Sequence, residues 1–248
     1  MYKLSVQSDK GPLEVLWSNV DVLSKYANIQ SGHYLTPGCD FSYELLQRRF
    51  HEWTQVLWDM EHEVGMHKFN DNSVFIDIGS GIGVRDLLLY SYVPNSKFYL
   101  IDKESWDEEF AVSEPPTICY GKDYPFYNSW APTIDAITTS NFNRNRFVMQ
   151  TPDKDLPEAD VVFSQLSWCF HYPKEIYWDR IMSCLKRGGI LQLDIRILQD
   201  RDVIGEISEE LKSSPIERKF PKIPDFADNY PTANPEHAWS RCMWIKNV

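Results

Sequence analysis

"VFIDIGSGIG", Val74 to Gly83, is an apolar run that ends in an acid and passes at once into a turn carrying Gly79, Gly81 and Gly83. A strand, a glycine turn and a helix in succession put backbone N–H groups and the positive end of a helix at the strand tip. Glycines carry no Cβ, so a ligand can lie directly against such a turn. A phosphate would welcome the glycines but meet a like charge at Asp77. A ligand bearing an ammonium group would be drawn to it. The GxGxG spacing alone also suits a plain tight turn, so the flanking sequence has to decide.

On both sides of this stretch, strand and helix patterns alternate. "SVFID" (73–77), "KFYLID" (97–102), "RFVMQ" (146–150), "ADVVFSQ" (159–165) and "GILQLDIRI" (189–197) read as strands. "VRDLLLYSYV" (84–93), "PTIDAITTSNF" (132–142), "KEIYWDRIMSCLK" (174–186) and "RDVIGEISEELKSS" (201–214) read as helices. This alternation implies crossover units and a parallel sheet buried on both faces. "IERKFPKI" and "AWSRCMWIK" (238–246) are two further strands joined by a Pro-rich loop, which predicts an antiparallel hairpin at the sheet's end. The expected fold is α/β and doubly wound, a mostly parallel seven-stranded sheet with an antiparallel last strand.

Residues 1–70 carry no strong strand signal and read as an N-terminal helical cap or lid, with the α/β domain spanning 71–248. Leu13 to Lys25 is weakly helical in pattern, and "NIQSGHYLTPGCD" is a loop. Asp40 is a candidate N-cap for a helix whose Leu46, Phe50, Trp53, Leu57, Met60 and Val64 form one apolar stripe, stopped by Gly65.

Composition narrows the function classes. The 248 residues are 43% hydrophobic and 25% charged, as in ordinary globular chains, and 14% aromatic with nine tryptophans. A net charge of −11 with scattered Lys and Arg argues against nucleic acid, whose phosphates need a clustered basic surface. Five dispersed cysteines without a CxxC pair argue against a disulfide framework or a zinc ribbon. No metal site is expected: His62 and His67, near Glu61 and Glu63, lack the HExxH spacing, and Asp194 has no evident partner. With no signal-like or membrane-spanning run, the expectation is a soluble, cytoplasmic protein.

The acid at Asp77 and a second acid at the end of the next strand, Asp102, complete a pattern. A strand-end carboxylate there can accept both hydroxyls of a ribose. A nucleoside and an ammonium, with no phosphate, describe S-adenosylmethionine. The chain from Val74 to Lys246 resembles the class I, Rossmann-like methyltransferases. It shares with them the glycine turn, Asp102, the acidic loop "TPDKDLPEADVVFS", the turn "LKRGGILQLD" (185–194) with Arg187 in place of proline, and the terminal hairpin. The resemblance implies S-adenosyl-L-methionine as cofactor. Asp77 would hold its amino group through water, and Gly79, Ser80, Gly81 and Gly83 would form the bed. Asp102 would take the ribose hydroxyls, and Asp153 the adenine amine, with Thr151 or Asp155 as alternatives. Ser164, at the end of the fourth strand, joins this donor set. Lys103 stands where the family often has an apolar residue against adenine; Trp106 is a candidate replacement.

The loop after the fourth strand, "SQLSWCFHYP" (164–173), faces the transferred methyl in this fold and resembles the "SWGFHYP" stretch of bacterial sugar O-methyltransferases, with Cys169 replacing glycine. That implies a small-molecule acceptor, a sugar or glycan precursor, methylated on a hydroxyl. A hydroxyl needs help to lose its proton, and His171 is the candidate base. It equally suits a packing histidine between Phe170 and Tyr172. Trp168, Phe170 and Tyr172 fit an acceptor wall or core. His33 reads as loop, and "DEE" (107–109) as a solvated face. Two other classes remain in view. One is a nicotinamide-dependent oxidoreductase, opposed by Val84 where GxGxxG wants glycine; the other is a methyltransferase-like subunit that binds without catalysis.

Overall fold

The computed structural model describes residues 1–19, 43–65, 69–102, 130–165, 167–170, 173–197, 201–220 and 239–248. The first elements are two strands, β1 (Tyr2–Ser8) and β2 (Gly11–Trp17), paired antiparallel from Tyr2↔Trp17 to Ser8↔Gly11. This corrects the expectation of an N-terminal segment without strands and of helix beginning near Leu13. The period is two: Tyr2, Leu4 and Val6, then Leu13, Val15 and Trp17, face inward, while Lys3, Gln7 and Glu14 face out. Helix α1 follows at Tyr43–Val64 and ends at Gly65, whose φ is +84°, in agreement with the stripe and the stop. Phe50, Met60 and Val64 are buried as the stripe requires. Asp40 lies outside the described residues.

The α/β part runs β3 (Val74–Ile78), α2 (Val84–Tyr92), β4 (Lys97–Ile101), α3 (Ala131–Thr139), β5 (Phe147–Gln150), β6 (Ala159–Ser164), α4 (Trp178–Cys184), β7 (Leu185–Arg196), α5 (Val203–Leu211), β8 (Ile216–Phe220) and β9 (Trp239–Ile245). The sheet order is β5-β4-β3-β6-β7-β9-β8. β9 runs against the direction of the other described strands of this sheet, antiparallel to β7 from Ile190↔Ile245 to Arg196↔Trp239 and to β8 on its other side. The expected sheet and its terminal hairpin are both present. The helix expected over 174–186 is shorter: a 3-10 turn at 174–176 precedes α4, and Leu185 already pairs with Ala159 as strand.

Each face of the sheet has its own core. On one face Phe75, Phe98 and Phe147 stack in a row, with ring centroids 4.8 and 5.6 Å apart, beneath α2, α3 and the hairpin. The hairpin is sewn to α3: Trp17 Nε1 donates to the Pro132 carbonyl at 3.0 Å, and the Asn19 amide donates to Asp135 at 2.9 Å. Across β1, Gln7 N donates to Gln55 of α1 at 2.8 Å. The opposite face buries Ile76, Val162, Leu191, Leu193 and Trp244 against α4 and α5. The hairpin therefore packs into the first of these cores. Among the described residues no helix is long and apolar enough to cross a membrane.

Candidate functional site

The parallel strands β3, β4, β5, β6 and β7 end along one rim of the sheet, and the glycine turn crosses it between β3 and β4. The amides of Gly79 and Ser80 donate to the Ile101 carbonyl at 2.8 and 3.2 Å, and the Gly81 amide donates to Asp102 Oδ2 at 2.7 Å. The turn is thus fixed to the acid that closes β4, and the two carboxylates singled out in the sequence meet in one place. Gly79, at φ +74°, is bare because Ser167 approaches it: a Cβ there would lie 1.9 Å from Ser167 Oγ. Gly83, at φ +64°, seats the start of α2 on the sheet, where a Cβ would lie 2.5 Å from Leu100 Cδ2. Its glycine is needed for helix–strand contact.

The loop after β6 is tied back to the same rim. Ser164 Oγ donates to the Ile78 carbonyl at 2.6 Å and accepts the Trp168 amide at 2.8 Å. Trp168 is fully buried, donates from Nε1 to the Lys174 carbonyl at 2.9 Å and meets the Tyr177 ring edge-on at 5.9 Å. Phe170 packs edge-on against Trp239 and beside Met60. Of the two readings left open for these aromatics, Trp168 and Phe170 take the core one. Cys169 adopts φ +65°, a conformation that favours glycine, and burial pushes its thiol well above the ordinary range. His171 and Tyr172 lie outside the described residues, as do Lys103, Trp106, His33, His67 and the acids at 107–109.

Asp153 sits on the turn after β5, largely exposed, and accepts from the Thr151 hydroxyl and from Lys154; these contacts hold its carboxyl below the usual range. Asp155 contributes its carbonyl to Gln150 Nε2 at 3.1 Å. Asp102 joins this part of the rim through its amide, which donates to the Gln150 carbonyl at 3.2 Å.

Beneath the glycine turn lies a polar cluster that the sequence reading missed. Asp77 is 3% exposed; among the described residues its Oδ1 has no hydrogen-bond partner, and the buried Ser80 Oγ has none either. Next to Asp77 stands Asp86, in the first turn of α2. Burial, then the neighbouring Asp86, pushes the Asp77 carboxyl well above the carboxylate range; burial pushes Asp86 up to about 7. Arg85 lies over the Phe163 ring, 3.5 Å from its centre, with its Nε 2.5 Å from Glu61 Oε1 on α1 and a hydrogen bond to Gln192. Farther along, Arg241 of β9 holds Asp194 of β7 through two contacts of 2.7 Å, which makes Asp194 a structural acid. Two signals could have exposed this cluster. Glu61 sits inside the apolar stripe of α1, and an Arg-Asp pair opens the otherwise apolar α2. Among the described residues, the four carboxyls of Asp77, Asp86, Glu61 and Asp194 stand around the two guanidiniums of Arg85 and Arg241, and Asp77 and Asp86 are the pair whose carboxyls are pushed up by burial.

No protein-family model matches the sequence, and no curated protein matches it. Solved structures do. Phosphoethanolamine N-methyltransferase 2 of Haemonchus contortus in complex with S-adenosyl-L-methionine is 13% identical, with a TM-score of 0.51 over 93% of this chain and 58% of that one. This chain thus spans little more than half of that protein. A methyltransferase from Pyrococcus furiosus (15% identical, TM-score 0.46, 92% and 98% covered) and precorrin-6y C5,15-methyltransferase from Geobacter metallireducens (14%, 0.45, 75% and 86%) are also similar. At these identities the likeness concerns architecture. The chain has the fold of the class I S-adenosylmethionine-dependent methyltransferases.

Proposed function

We propose that this chain is an S-adenosylmethionine-dependent methyltransferase acting on a hydroxyl of a sugar or another small hydroxylated acceptor. The observation that carries the donor is the buried Asp77 Oδ1 near the end of β3, which has no hydrogen-bond partner among the described residues and lies beside a second buried acid, Asp86. An ammonium group supplies positive charge and a donor hydrogen bond. A pyrophosphate would add negative charge to the same place, which opposes the nicotinamide reading. The turn fits the rest of the donor: Ser80 Oγ is a second buried polar atom without a partner among the described residues, and Asp102 is held at the turn by the Gly81 amide.

In this reading Asp77 binds the amino group, and Gly79, Ser80 and Gly81 lie under the methionyl and ribose parts. Gly83 and Ser164 hold the turn and the next loop in register, Asp102 takes the ribose hydroxyls, and Asp153, Thr151 or Asp155 reaches the adenine amine. The donor, when bound, supplies an electrophilic methyl group on sulfur. His171 accepts the acceptor hydroxyl's proton as that oxygen attacks. The sugar assignment is supported by the resemblance of "SWCFHYP" to sugar O-methyltransferases, and the net charge of −11 speaks against a nucleic-acid acceptor.

Calorimetric titration with S-adenosylhomocysteine, NAD and NADP tests the donor. Binding of the first alone is expected. Binding of a nicotinamide nucleotide instead would transfer the site to the oxidoreductase reading, and binding of none would leave a chain with the fold but not the activity.

A further inference from the structure

Two of the carboxyls beneath the glycine turn cannot both be ionised comfortably. Asp77 of β3 and Asp86 of α2 stand next to each other, 3% and 0% exposed. Carboxylates are acceptors only, so the two can bond to each other only when one carries a proton. As carboxylates they offer Asp77 Oδ1 and both Asp86 oxygens no donor among the described residues. The other charged and polar groups around them come from every element packed here: Arg85 beside Asp86 on α2, Glu61 on α1, Asp102 at the end of β4, Gln192 and Asp194 on β7, and Arg241 on β9. Arg85 is shared with Glu61 and Gln192, and Arg241 is committed to Asp194. Asp102 adds further negative charge from β4. Among the described residues Arg85 attracts both carboxyls while also serving Glu61 and Gln192, so further positive charge for the pair comes from a proton or from a ligand, and the two compete for one place.

We infer that Asp86 is a positioning residue for the methyl donor: it shares a proton with Asp77 in the free protein, and that proton leaves for solvent when the donor's ammonium group settles beside Asp77. This rests on the donor reading above. The ammonium replaces the proton as the positive partner, Asp77 becomes the ionised acceptor, and Asp86, at the third position of α2 where the helix end is positive, carries the second negative charge. The direction with pH follows. At low pH the pair holds its proton and the ligand has to displace it; as pH rises through the raised carboxyls, that proton goes to solvent without the ligand. Affinity therefore rises with pH and levels off.

The test is titration calorimetry of S-adenosylhomocysteine between pH 5.5 and 8.5, in paired buffers of different ionisation enthalpy, which counts the protons released. Release of close to one proton is expected at the acid end, decreasing as pH rises. Affinity should gain up to about tenfold per pH unit at the acid end, as one displaced proton requires. 5′-Methylthioadenosine, which lacks the ammonium group, should release none. Asp86→Asn, which can still donate a hydrogen bond to Asp77, should bind S-adenosylhomocysteine with a flatter pH profile and less proton release. Binding by the wild type with no proton release and no pH dependence would overturn the inference and leave the donor reading intact. Absence of S-adenosylhomocysteine binding at every pH would overturn both.

Discussion

At the scale of single residues, Asp77 links stability to binding in opposite directions. Its carboxyl and that of Asp86 titrate higher in the fold than in the unfolded chain, so the native state binds more protons from about pH 4 upward, through the value of about 7 at Asp86. Stability is unaffected below the unfolded value and falls as pH rises through the folded one. The midpoint of thermal unfolding should therefore drop between pH 5 and 8 in the wild type, and Asp77→Asn should flatten that slope and raise the midpoint at pH 8. The same substitution removes the charge that recognises an ammonium. A charge-assisted hydrogen bond contributes about 1.5–3 kcal/mol, so S-adenosylhomocysteine should bind at least about tenfold more weakly. A variant more stable yet weaker in binding marks an acid kept for its ligand; loss of both properties would make Asp77 structural.

Cys169 permits a cleaner comparison. A non-glycine residue at φ +65° costs roughly 1–2 kcal/mol, and Cys169 is 6% exposed, so its side chain also packs. Cys169→Ala loses the packing and keeps the strain, while Cys169→Gly loses the packing and relieves it. Chemical denaturation should find the glycine variant more stable than the alanine variant by about 1 kcal/mol. The resembled family's glycine at this position was readable from the sequence. The backbone angle that explains it was not.

At the scale of elements, legibility followed the strength of the hydrophobic period. The stripe of α1, the apolar strands β3 and β6 and the turn at Gly188-Gly189 announce themselves. The β1–β2 hairpin did not, although Tyr2, Leu4, Val6, Leu13, Val15 and Trp17 alternate strictly, because Leu16 breaks the polar side of the second strand and invites a helical reading. Its importance lies in what it covers. Trp17 is fully buried, and its indole donates to the first turn of α3. Truncating a buried tryptophan costs about 3–5 kcal/mol, so Trp17→Ala should lower unfolding free energy by that amount in urea. A loss under 1 kcal/mol would mean that the hairpin adds little to this core. Of the candidate site, the acids and glycines could be read in order along the chain. Arg85 and Glu61 stand out only as charges within apolar patterns, and their meeting with Gln192 could not be read, since it depends on elements that the sequence does not align.

At the scale of the whole molecule, a buried ion pair and a buried acid pair divide the polar interior between architecture and ligand. Asp194 and Arg241 neutralise each other through two contacts of 2.7 Å, joining the antiparallel β9 to β7 under α1, whose Leu57 carbonyl also accepts from Arg241 at 3.3 Å. Removing one partner leaves an uncompensated buried charge and costs about 3–5 kcal/mol, whereas replacing both with apolar residues of similar size is often neutral or stabilising. Asp194→Leu alone should thus destabilise strongly, and Asp194→Leu with Arg241→Met should recover most of the loss. S-adenosylhomocysteine should bind the double variant within a few-fold of wild type, because the acid pair at Asp77 and Asp86 is untouched. Urea unfolding and calorimetry on the three proteins separate the possibilities. Recovery of stability with retained binding would make the Asp194–Arg241 pair a replaceable brace. Recovery of stability with binding lost would mean that the whole cluster, from β9 to the glycine turn, acts as one electrostatic unit around the donor.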